Sequence, residues 1–273
     1  MALDRTLLLD RVRGFVFDVD GTLVHRGSDG RAQPQPDAVE VLDRIRASGR
    51  RLVLFTNGSH VPSASIARGL RDDGLPIADE EMMTPTDSAT SYLLRRHPGA
   101  RVQTFASEAI RVWMAARGVT LTDGDDAEAV YVAHLDAVEL PAIERAARAV
   151  TRGAPLLTSS YVRGYAGANG IIFSRGAMIT AAISKASGKR PKVLGKPSRA
   201  ALMELGVRMG FPVRDLLVVG DDLGMDVALG RMGGARTVLV RSGISGDVDL
   251  SAVPARRRPD AAIERVGELL EVL

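Results

Sequence analysis

Two carboxylates lie one residue apart at the end of an apolar run. Residues 15–17 are Phe-Val-Phe, and Asp18, Val19 and Asp20 follow before Gly21 ends the pattern. Because strand side chains alternate between faces, Asp18 and Asp20 are expected to point to the same side. Neighbouring acids repel each other, so the pair needs a chemical or structural reason. It shares a metal ion, or divides into one ionised and one protonated group, or accepts hydrogen bonds from turn amides.

Two more apolar runs end in residues that could bind a metal ion or an anion. One leads into Thr56, Asn57 and Gly58, and the other precedes Asp221. In an open parallel sheet, ligands bind where the strands end, so these residues are expected to meet Asp18 there. Carboxylate and carbonyl oxygens are the ligands that Mg²⁺ prefers, and glycine lets backbone amides come close to an anion.

Lys196 adds a compact positive charge in a Gly-Lys-Pro-Ser loop, whose Ser198 is expected to cap a helix. Sites for a phosphoryl group typically combine such an ammonium group with a metal ion, backbone amides and a hydroxyl, which Thr56 offers here. The sequence therefore predicts phosphoryl chemistry.

Strand and helix patterns alternate towards both ends of the chain. After the first strand, a helix is predicted whose apolar residues Ala38, Val41, Leu42 and Ile45 lie on one face. The pattern further predicts a strand at 52–55, a helix at 63–71, a strand at 216–219, a short helix at 225–232, a strand at 237–240 and a closing amphipathic helix around 263–270. This alternation indicates an α/β fold with a doubly wound parallel sheet.

Residues 86–190 carry a separate strand and helix alternation and are numerous enough to form their own core. We therefore expect an α/β domain inserted at 86–190. Residues 1–85 and 191–273 would then form one discontinuous core domain.

The composition suits a soluble protein with a substantial core. The 273 residues are 45% hydrophobic and include no cysteine, which excludes a disulfide framework and a thiolate zinc site. The start of the sequence lacks the long apolar region of a secretory signal, and no apolar run approaches the roughly 20 residues of a membrane helix. A cytoplasmic protein that does not bind membranes is expected.

The charge distribution argues against a nucleic-acid partner. The formal net charge is only +3, and the one basic cluster, residues 256–258, has no aromatic residues interleaved with it. Single-strand binding needs such stacking residues beside a basic track. We expect no nucleic-acid partner.

Four segments, in order, resemble the motifs of the haloacid dehalogenase (HAD) superfamily. They are Asp18-Val-Asp20-Gly-Thr, the Thr-Asn pair at Thr56, the Gly-Lys-Pro-Ser loop of Lys196, and Gly-Asp221 with its following acids. The resemblance extends over the whole chain, because the first motif lies near one end and the last near the other.

The motif spacing is similar to that of class IIA of this superfamily. Thr56 follows Asp18 by 38 positions, whereas Lys196 follows Thr56 by 140, which leaves room for a cap domain of the C2 type only at the second place. Members of this class include NagD-like nucleotidases, 4-nitrophenylphosphatases, phosphoglycolate phosphatases and pyridoxal phosphate phosphatase. In the cap, residues 158–161 differ from the Thr-Asn-x-Asp run of these relatives, so no one relative's substrate can be transferred.

The resemblance implies a role for each carboxylate. Asp18 would be the nucleophile and Asp20 the general acid and base. Mg²⁺ would be held by the carboxylates of Asp18 and Asp221 and by the backbone carbonyl of Asp20, with Asp226 supporting the metal site. Asp222 is either a helix N-cap or a ligand, and direct contact of Asp226 with the metal is also open.

The resemblance also implies which groups hold the substrate. Thr56, Asn57, Gly58 and Lys196 would bind the phosphoryl oxygens, with Lys196 also screening the charge between Asp18 and the phosphate.

The implied activity is that of a Mg²⁺-dependent phosphatase acting on a small phosphorylated metabolite through an aspartyl-phosphate. A phosphotransferase with the same nucleophile and a non-catalytic protein that binds a phosphorylated metabolite are the alternatives. Relatives often pair through the cap, so a homodimer is to be tested, although the sequence does not decide the oligomeric state.

Overall fold

The fold is seen in a computed structural model that describes residues 8–167 and 170–273. Contacts between Cα atoms divide it into two compact units. Among the described residues, the first unit comprises 8–56, 64–83 and 202–273, and the second comprises 57–63, 84–167 and 170–201. The domain assignment expected from the sequence, with residues 1–85 and 191–273 in one domain and residues 86–190 in the other, stays a prediction.

The strands of the described chain, numbered in chain order, are β1 (Gly14–Phe17), β2 (Val24–Arg26), β3 (Ala32–Pro34), β4 (Arg51–Phe55), β5 (Met82–Met83), β6 (Arg101–Phe105), β7 (Thr120–Leu121), β8 (Ala129–Val132), β9 (Leu156–Thr158), β10 (Gly164–Gly167), β11 (Gly170–Phe173), β12 (Lys192–Val193), β13 (Leu216–Gly220), β14 (Arg236–Val240) and β15 (Ala261–Ile263).

The α-helices are α1 (Ala38–Ala47), α2 (Ser63–Asp72), α3 (Pro85–Arg96), α4 (Glu108–Ala115), α5 (Leu140–Thr151), α6 (Arg175–Ser187), α7 (Arg199–Met209) and α8 (Ala228–Gly233). Short 3₁₀ turns are formed by Asp79–Glu81, Val213–Asp215, Ala255–Arg257 and Val266–Glu271, and Leu223–Val227 forms one π-helical turn that leads into α8.

The first unit is built on a six-stranded parallel sheet in the order β15-β14-β13-β1-β4-β5. All four residues of β1 are buried, as expected for a strand covered by helices on both faces. Phe17 is level with Val219 of β13 and with Leu54 of β4. The residues that follow these three strands therefore leave the sheet at the same edge.

In helix α1 the apolar spacing of the sequence correctly predicts which residues are buried. Its buried residues are Ala38, Val41, Leu42 and Ile45, the four that the helical spacing predicted. They join the apolar core of the first unit, while Gly49 adopts a φ of 75° just beyond the helix, a backbone conformation that glycine tolerates best.

The second unit contains a five-stranded parallel sheet in the order β12-β9-β8-β6-β7. Strands β10 and β11 form a separate antiparallel hairpin. Two apolar clusters, one including Tyr131 and Met114 and the other including Val130 and Ile183, give this unit its own core. Both units are α/β with parallel sheets, which confirms the predicted fold class.

Two predicted elements near the end of the chain differ from the structure. Ile263 lies in strand β15, and the expected amphipathic helix is the 3₁₀ segment Val266–Glu271. Val266 and Leu269 are buried as predicted, so tertiary packing kept the apolar face but not the α-helical geometry. The predicted helix at 225–232 is divided between the π-helical turn and α8. Among the described helices, none combines the length and apolar character needed to cross a bilayer.

Candidate active site

Three carboxylates meet at the edge of the first unit's sheet where β1 and β13 end. Asp18 directly follows β1, Asp221 directly follows β13, and Asp226 lies in the π-helical turn. One carboxylate oxygen from each residue lies within 4.8 Å of the other two. Asp221 and Asp226 are 3% and 2% exposed, and Asp18 is half-buried. We call these three residues the carboxylate cluster.

The carboxylate cluster fits a divalent cation. Within this distance each ionised pair repels by about 3.5 kcal/mol or more if the effective dielectric constant is about 20. A bound cation removes that repulsion, and an all-oxygen donor set suits Mg²⁺ rather than a softer metal. The structure thus brings together Asp18 and Asp221, both predicted as ligands, and adds the carboxylate of Asp226 to the same donor set.

A loop after β14 holds Asp221 in place. The Ile244 N–H donates to Oδ2 of Asp221 at 2.8 Å, and the Ser245 N–H donates to its backbone carbonyl at 3.0 Å. The Ser242 hydroxyl donates to the backbone carbonyl of Gly21 at 2.7 Å. One loop therefore braces the segments that follow both β1 and β13. Sequence reasoning missed this loop, although its Ser-Gly-Ile-Ser-Gly composition after a strand was a turn signal.

Gly243 lets this loop pass close to the Asp221 carboxylate. A Cβ atom at Gly243 would lie 1.9 Å from Oδ2 of Asp221 and 2.5 Å from its Cγ, far inside van der Waals contact. Gly220 has the same function for Asp226, since its Cβ would lie 2.2 Å from the Asp226 Cγ. Both carboxylates are thus packed directly against backbone.

We predict that Gly243→Ala displaces Asp221 and weakens Mg²⁺ binding and phosphatase turnover by about 10-fold to 100-fold, the usual effect of disturbing a metal ligand's support. Gly69→Ala is the matched control, because Gly69 lies inside α2 and a Cβ there meets no atom within 4 Å. The Mg²⁺ concentration for half-maximal activity is the measurement. Equal values for the two variants would contradict the assignment.

Asp20 lies at the surface beside the β2–β3 hairpin. Its Oδ1 accepts a hydrogen bond from Nε of Arg26 at 2.6 Å, and the two side chains are each 47% exposed. The hairpin is anchored by Asp73, which accepts from the Ala32 N–H at 2.7 Å and from Nε of Arg31 at 2.9 Å. The hydrogen bond from the Ala32 N–H contributes most to lowering the pKa of Asp73, and the bond from Arg31 lowers it further. Residues 24–34 thus form an ordered hairpin next to Asp20.

Asp222 serves as a cap in this structure. Its Oδ1 accepts from the backbone N–H groups of Gly224 at 2.6 Å and Met225 at 3.2 Å, at the start of the π-helical turn. The Asp222 N–H in turn donates to Oδ2 of Asp226 at 3.2 Å. Of the two roles left open for Asp222, the structure shows helix capping, and the capped turn positions Asp226.

Thr56 directly follows β4, at the same edge of the sheet as Asp18, and is 9% exposed. Asn57, Gly58 and Lys196 belong to the second unit, where Lys196 is 3% exposed. The side-chain amide of Asn57 bonds to both backbone groups of Lys196, accepting from its N–H at 2.8 Å and donating to its C=O at 3.0 Å. Ser198 caps α7 through the Ala201 N–H, as its position predicted.

The comparisons with known proteins agree with this fold. Residues 15–120 match the family model of haloacid dehalogenase-like hydrolases, and residues 193–269 match a HAD-hydrolase-like model. Ribonucleotide monophosphatase NagD of Escherichia coli K12 is 29% identical over 248 residues, which are 90% of this chain and 94% of that protein. D-glycerol 3-phosphate phosphatase of Mycobacterium tuberculosis is 29% identical over 247 residues, 89% of this chain and 67% of that protein.

A solved structure shows the same architecture. The p-nitrophenyl phosphatase from Archaeoglobus fulgidus superposes with a TM-score of 0.84 at 28% sequence identity, covering 96% of this chain and 99% of that one. The chain belongs to the haloacid dehalogenase-like hydrolases, in the NagD-like class IIA with a C2-type cap. Within that family it is a phosphoric monoester hydrolase.

Proposed function

We propose that this chain is a Mg²⁺-dependent phosphatase that hydrolyses a small phosphorylated metabolite through an aspartyl-phosphate on Asp18. The observation that carries the proposal is the carboxylate cluster, whose three acids converge at one edge of the sheet. A carboxylate nucleophile next to a cation site is the arrangement that phosphoryl transfer to aspartate requires.

The carboxylates of Asp18 and Asp221 and the backbone carbonyl of Asp20 are proposed to hold Mg²⁺, with Asp226 either a further ligand or a support through water. When bound, the ion neutralises negative charge on the phosphoryl oxygens and keeps the Asp18 carboxylate ionised.

The chemical steps are assigned to two side chains. A carboxylate oxygen of Asp18 attacks phosphorus, and the bond from phosphorus to the leaving oxygen breaks while Asp20 gives that oxygen a proton. Asp20 then removes a proton from the water that attacks the phosphoryl group, which releases phosphate and restores Asp18. Because Oδ1 of Asp20 accepts from Arg26, Oδ2 is the oxygen that we assign to proton transfer.

The phosphoryl oxygens are proposed to be held by the Thr56 hydroxyl, the backbone amides of Asn57 and Gly58, and the ammonium group of Lys196. Such donors stabilise the charge that spreads over the transferred group in the transition state.

The direct test is release of 4-nitrophenol from 4-nitrophenyl phosphate by the purified chain. We expect turnover with Mg²⁺, loss of turnover after removal of the metal with EDTA, and recovery when Mg²⁺ is added back in excess. Turnover that is unaffected by EDTA would contradict the metal assignment. Phosphate recovered on an added alcohol instead of in solution would identify a phosphotransferase, and stable binding of a phosphate ester without turnover would identify a binding protein.

The substrate is proposed to be a small phosphate monoester in the cytoplasm. Two of the relatives are named as a ribonucleotide monophosphatase and a D-glycerol 3-phosphate phosphatase, which makes ribonucleotides and D-glycerol 3-phosphate candidate substrates. A panel of these compounds, with phosphoglycolate and pyridoxal phosphate, ranks the candidates by kcat/KM.

Pairing into a homodimer through the cap stays a prediction, which sedimentation at several protein concentrations can test.

A further inference from the structure

The backbone of Lys196 is held by a single side chain from a distant part of the sequence. Asn57 accepts from the Lys196 N–H at 2.8 Å and donates to the Lys196 C=O at 3.0 Å, across 139 positions. Only one orientation of the amide satisfies both bonds, since the oxygen must face the N–H and the NH₂ must face the carbonyl. The pair of bonds fixes the backbone on both sides of the Lys196 Cα atom.

The residue before Lys196 is packed for the same contact. A Cβ atom at Gly195 would lie 2.6 Å from Oδ1 of Asn57 and 2.4 Å from the Ser159 carbonyl. The Gly195 N–H donates to that carbonyl at 3.0 Å. Any larger residue would push Asn57 or the Ser159 strand end away, so the glycine of Gly-Lys-Pro-Ser is needed for this close approach.

Ser159 is itself fixed by a buried hydroxyl chain. The Tyr131 hydroxyl lies 2.7 Å from Oγ of Ser159 and 3.3 Å from Oγ1 of Thr86. Burial raises the pKa of Tyr131 to about 12. The phenol therefore keeps its proton, and this row of hydroxyl groups stays neutral at ordinary pH. The support behind the lysine loop is therefore a set of uncharged hydrogen bonds.

The segment that carries Asn57 is tied down at two further points. The Ser107 hydroxyl donates to the His60 carbonyl at 2.9 Å, and the Ser63 hydroxyl donates to Oδ1 of Asp87 at 3.2 Å. The backbone segment that follows Asn57 is thus fixed by hydrogen bonds within the second unit. This fixed backbone supports the contact between the Asn57 side chain and Lys196.

We infer that the Asn57 side chain is a positioning residue for Lys196. A lysine ammonium ends a flexible four-carbon chain, so its location at a phosphoryl group depends on a fixed backbone origin. Misplacing a catalytic group by about 1 Å can lower the rate by about 100-fold. The inference rests on the proposed function, in which Lys196 binds the phosphoryl group, and it assigns the Asn57 side chain a role separate from that of its backbone amide.

A double-mutant cycle tests the inference. Asn57→Leu removes both bonds at similar volume, and we expect it to lower kcat/KM for 4-nitrophenyl phosphate by about 10-fold to 100-fold in the otherwise native chain. In a Lys196→Met background, already impaired, the same change should lower kcat/KM by less than about twofold, because the group being positioned is gone. Equal losses in both backgrounds would overturn the inference.

Two further variants separate positioning from general damage. Asn57→Asp keeps the acceptor for the Lys196 N–H but loses the donor to its carbonyl, and an intermediate loss is expected. Gln103→Met removes another buried amide bond in the same unit, from Nε2 to the Ala142 carbonyl at 2.9 Å, and should lower the thermal midpoint while leaving kcat/KM within about twofold. If Gln103→Met costs as much activity as Asn57→Leu, the inference is wrong.

The proposed function and this inference fail in different ways. Absence of turnover by the native chain would overturn the proposed function, and the inference with it. Full turnover by Lys196→Met would overturn the assigned role of Lys196 and the positioning inference with it, while the phosphatase activity itself would stand. A third outcome is that turnover depends on Lys196 but Asn57→Leu lowers kcat/KM by the same factor in both backgrounds. That outcome would overturn only the positioning role of Asn57.

Discussion

Asn in place of Asp18 should abolish phosphate release from 4-nitrophenyl phosphate, lowering kcat by about four orders of magnitude or more. The amide has almost the same shape as the carboxylate but is a far weaker nucleophile, so no phosphoryl group can be transferred to residue 18. The backbone of Asp18 continues the sheet, donating its N–H to the Val219 carbonyl at 2.9 Å. The variant should therefore fold normally, as circular dichroism and thermal unfolding can verify.

Asp222→Asn is the matched control for charge and location. It also replaces one carboxylate by an amide after a strand of the same sheet, but its Oδ1 can still cap the π-helical turn. We expect it to keep most of the native turnover.

Acid quenching during turnover should trap phosphate on the native chain at Asp18, identified by peptide mass. Trapped phosphate elsewhere, or substantial turnover by Asp18→Asn, would show that another group is the nucleophile.

Asp221→Asn should separate metal binding from folding. Without metal, the variant should be at least as stable as the native chain, because one of three mutually repelling carboxylates is neutralised. The Asn oxygen can still accept the Ile244 N–H that Asp221 accepts at 2.8 Å. With Mg²⁺, the native chain should gain about 2.7 kcal/mol at a concentration one hundred times the Kd, whereas the variant should gain little at the same concentration.

Turnover provides the second readout for Asp221→Asn. We expect kcat/KM to fall by about 1000-fold or more at a fixed Mg²⁺ concentration, because metal clamps contribute several kcal/mol to the transition state. Much higher Mg²⁺ should recover part of the loss. The prediction fails if the variant keeps the Mg²⁺-dependent rise in thermal midpoint, since the cluster would then not be the metal site.

The sequence predicted the α/β class and most of the elements because the strands are short apolar runs and the helices have clear apolar faces. In α1, local spacing and tertiary burial agree at Ala38, Val41, Leu42 and Ile45. Near the end of the chain they diverge. The apolar residues stay buried, but packing selects β15 and a 3₁₀ segment, and periodicity alone does not distinguish these from an α-helix.

The sequence predicted the location of those site residues that directly follow apolar strands, but not of the residues that support them. Asp18, Thr56 and Asp221 end three neighbouring strands, so a sheet model places them at one edge. The brace from Ser242, Ile244 and Ser245 depends on the backbone path of a loop, which residue types alone do not encode. The bonds between Asn57 and Lys196 likewise join two loops, and no periodicity relates them.

The pairing of β1 with β13 has a consequence for synthesis of the chain on the ribosome. Gly14 pairs with Arg51 on one side but with Leu216 on the other, so the second partner emerges about 200 residues after the first strand. At about 5 to 20 residues per second, this delay lasts on the order of ten seconds or longer. During that time one edge of a fully apolar strand lacks its native partner and is open to wrong pairing. Because Asp221 follows β13, the proposed metal site would form only after β13 has emerged, and Mg²⁺ bound there could not assist the earlier stages of folding.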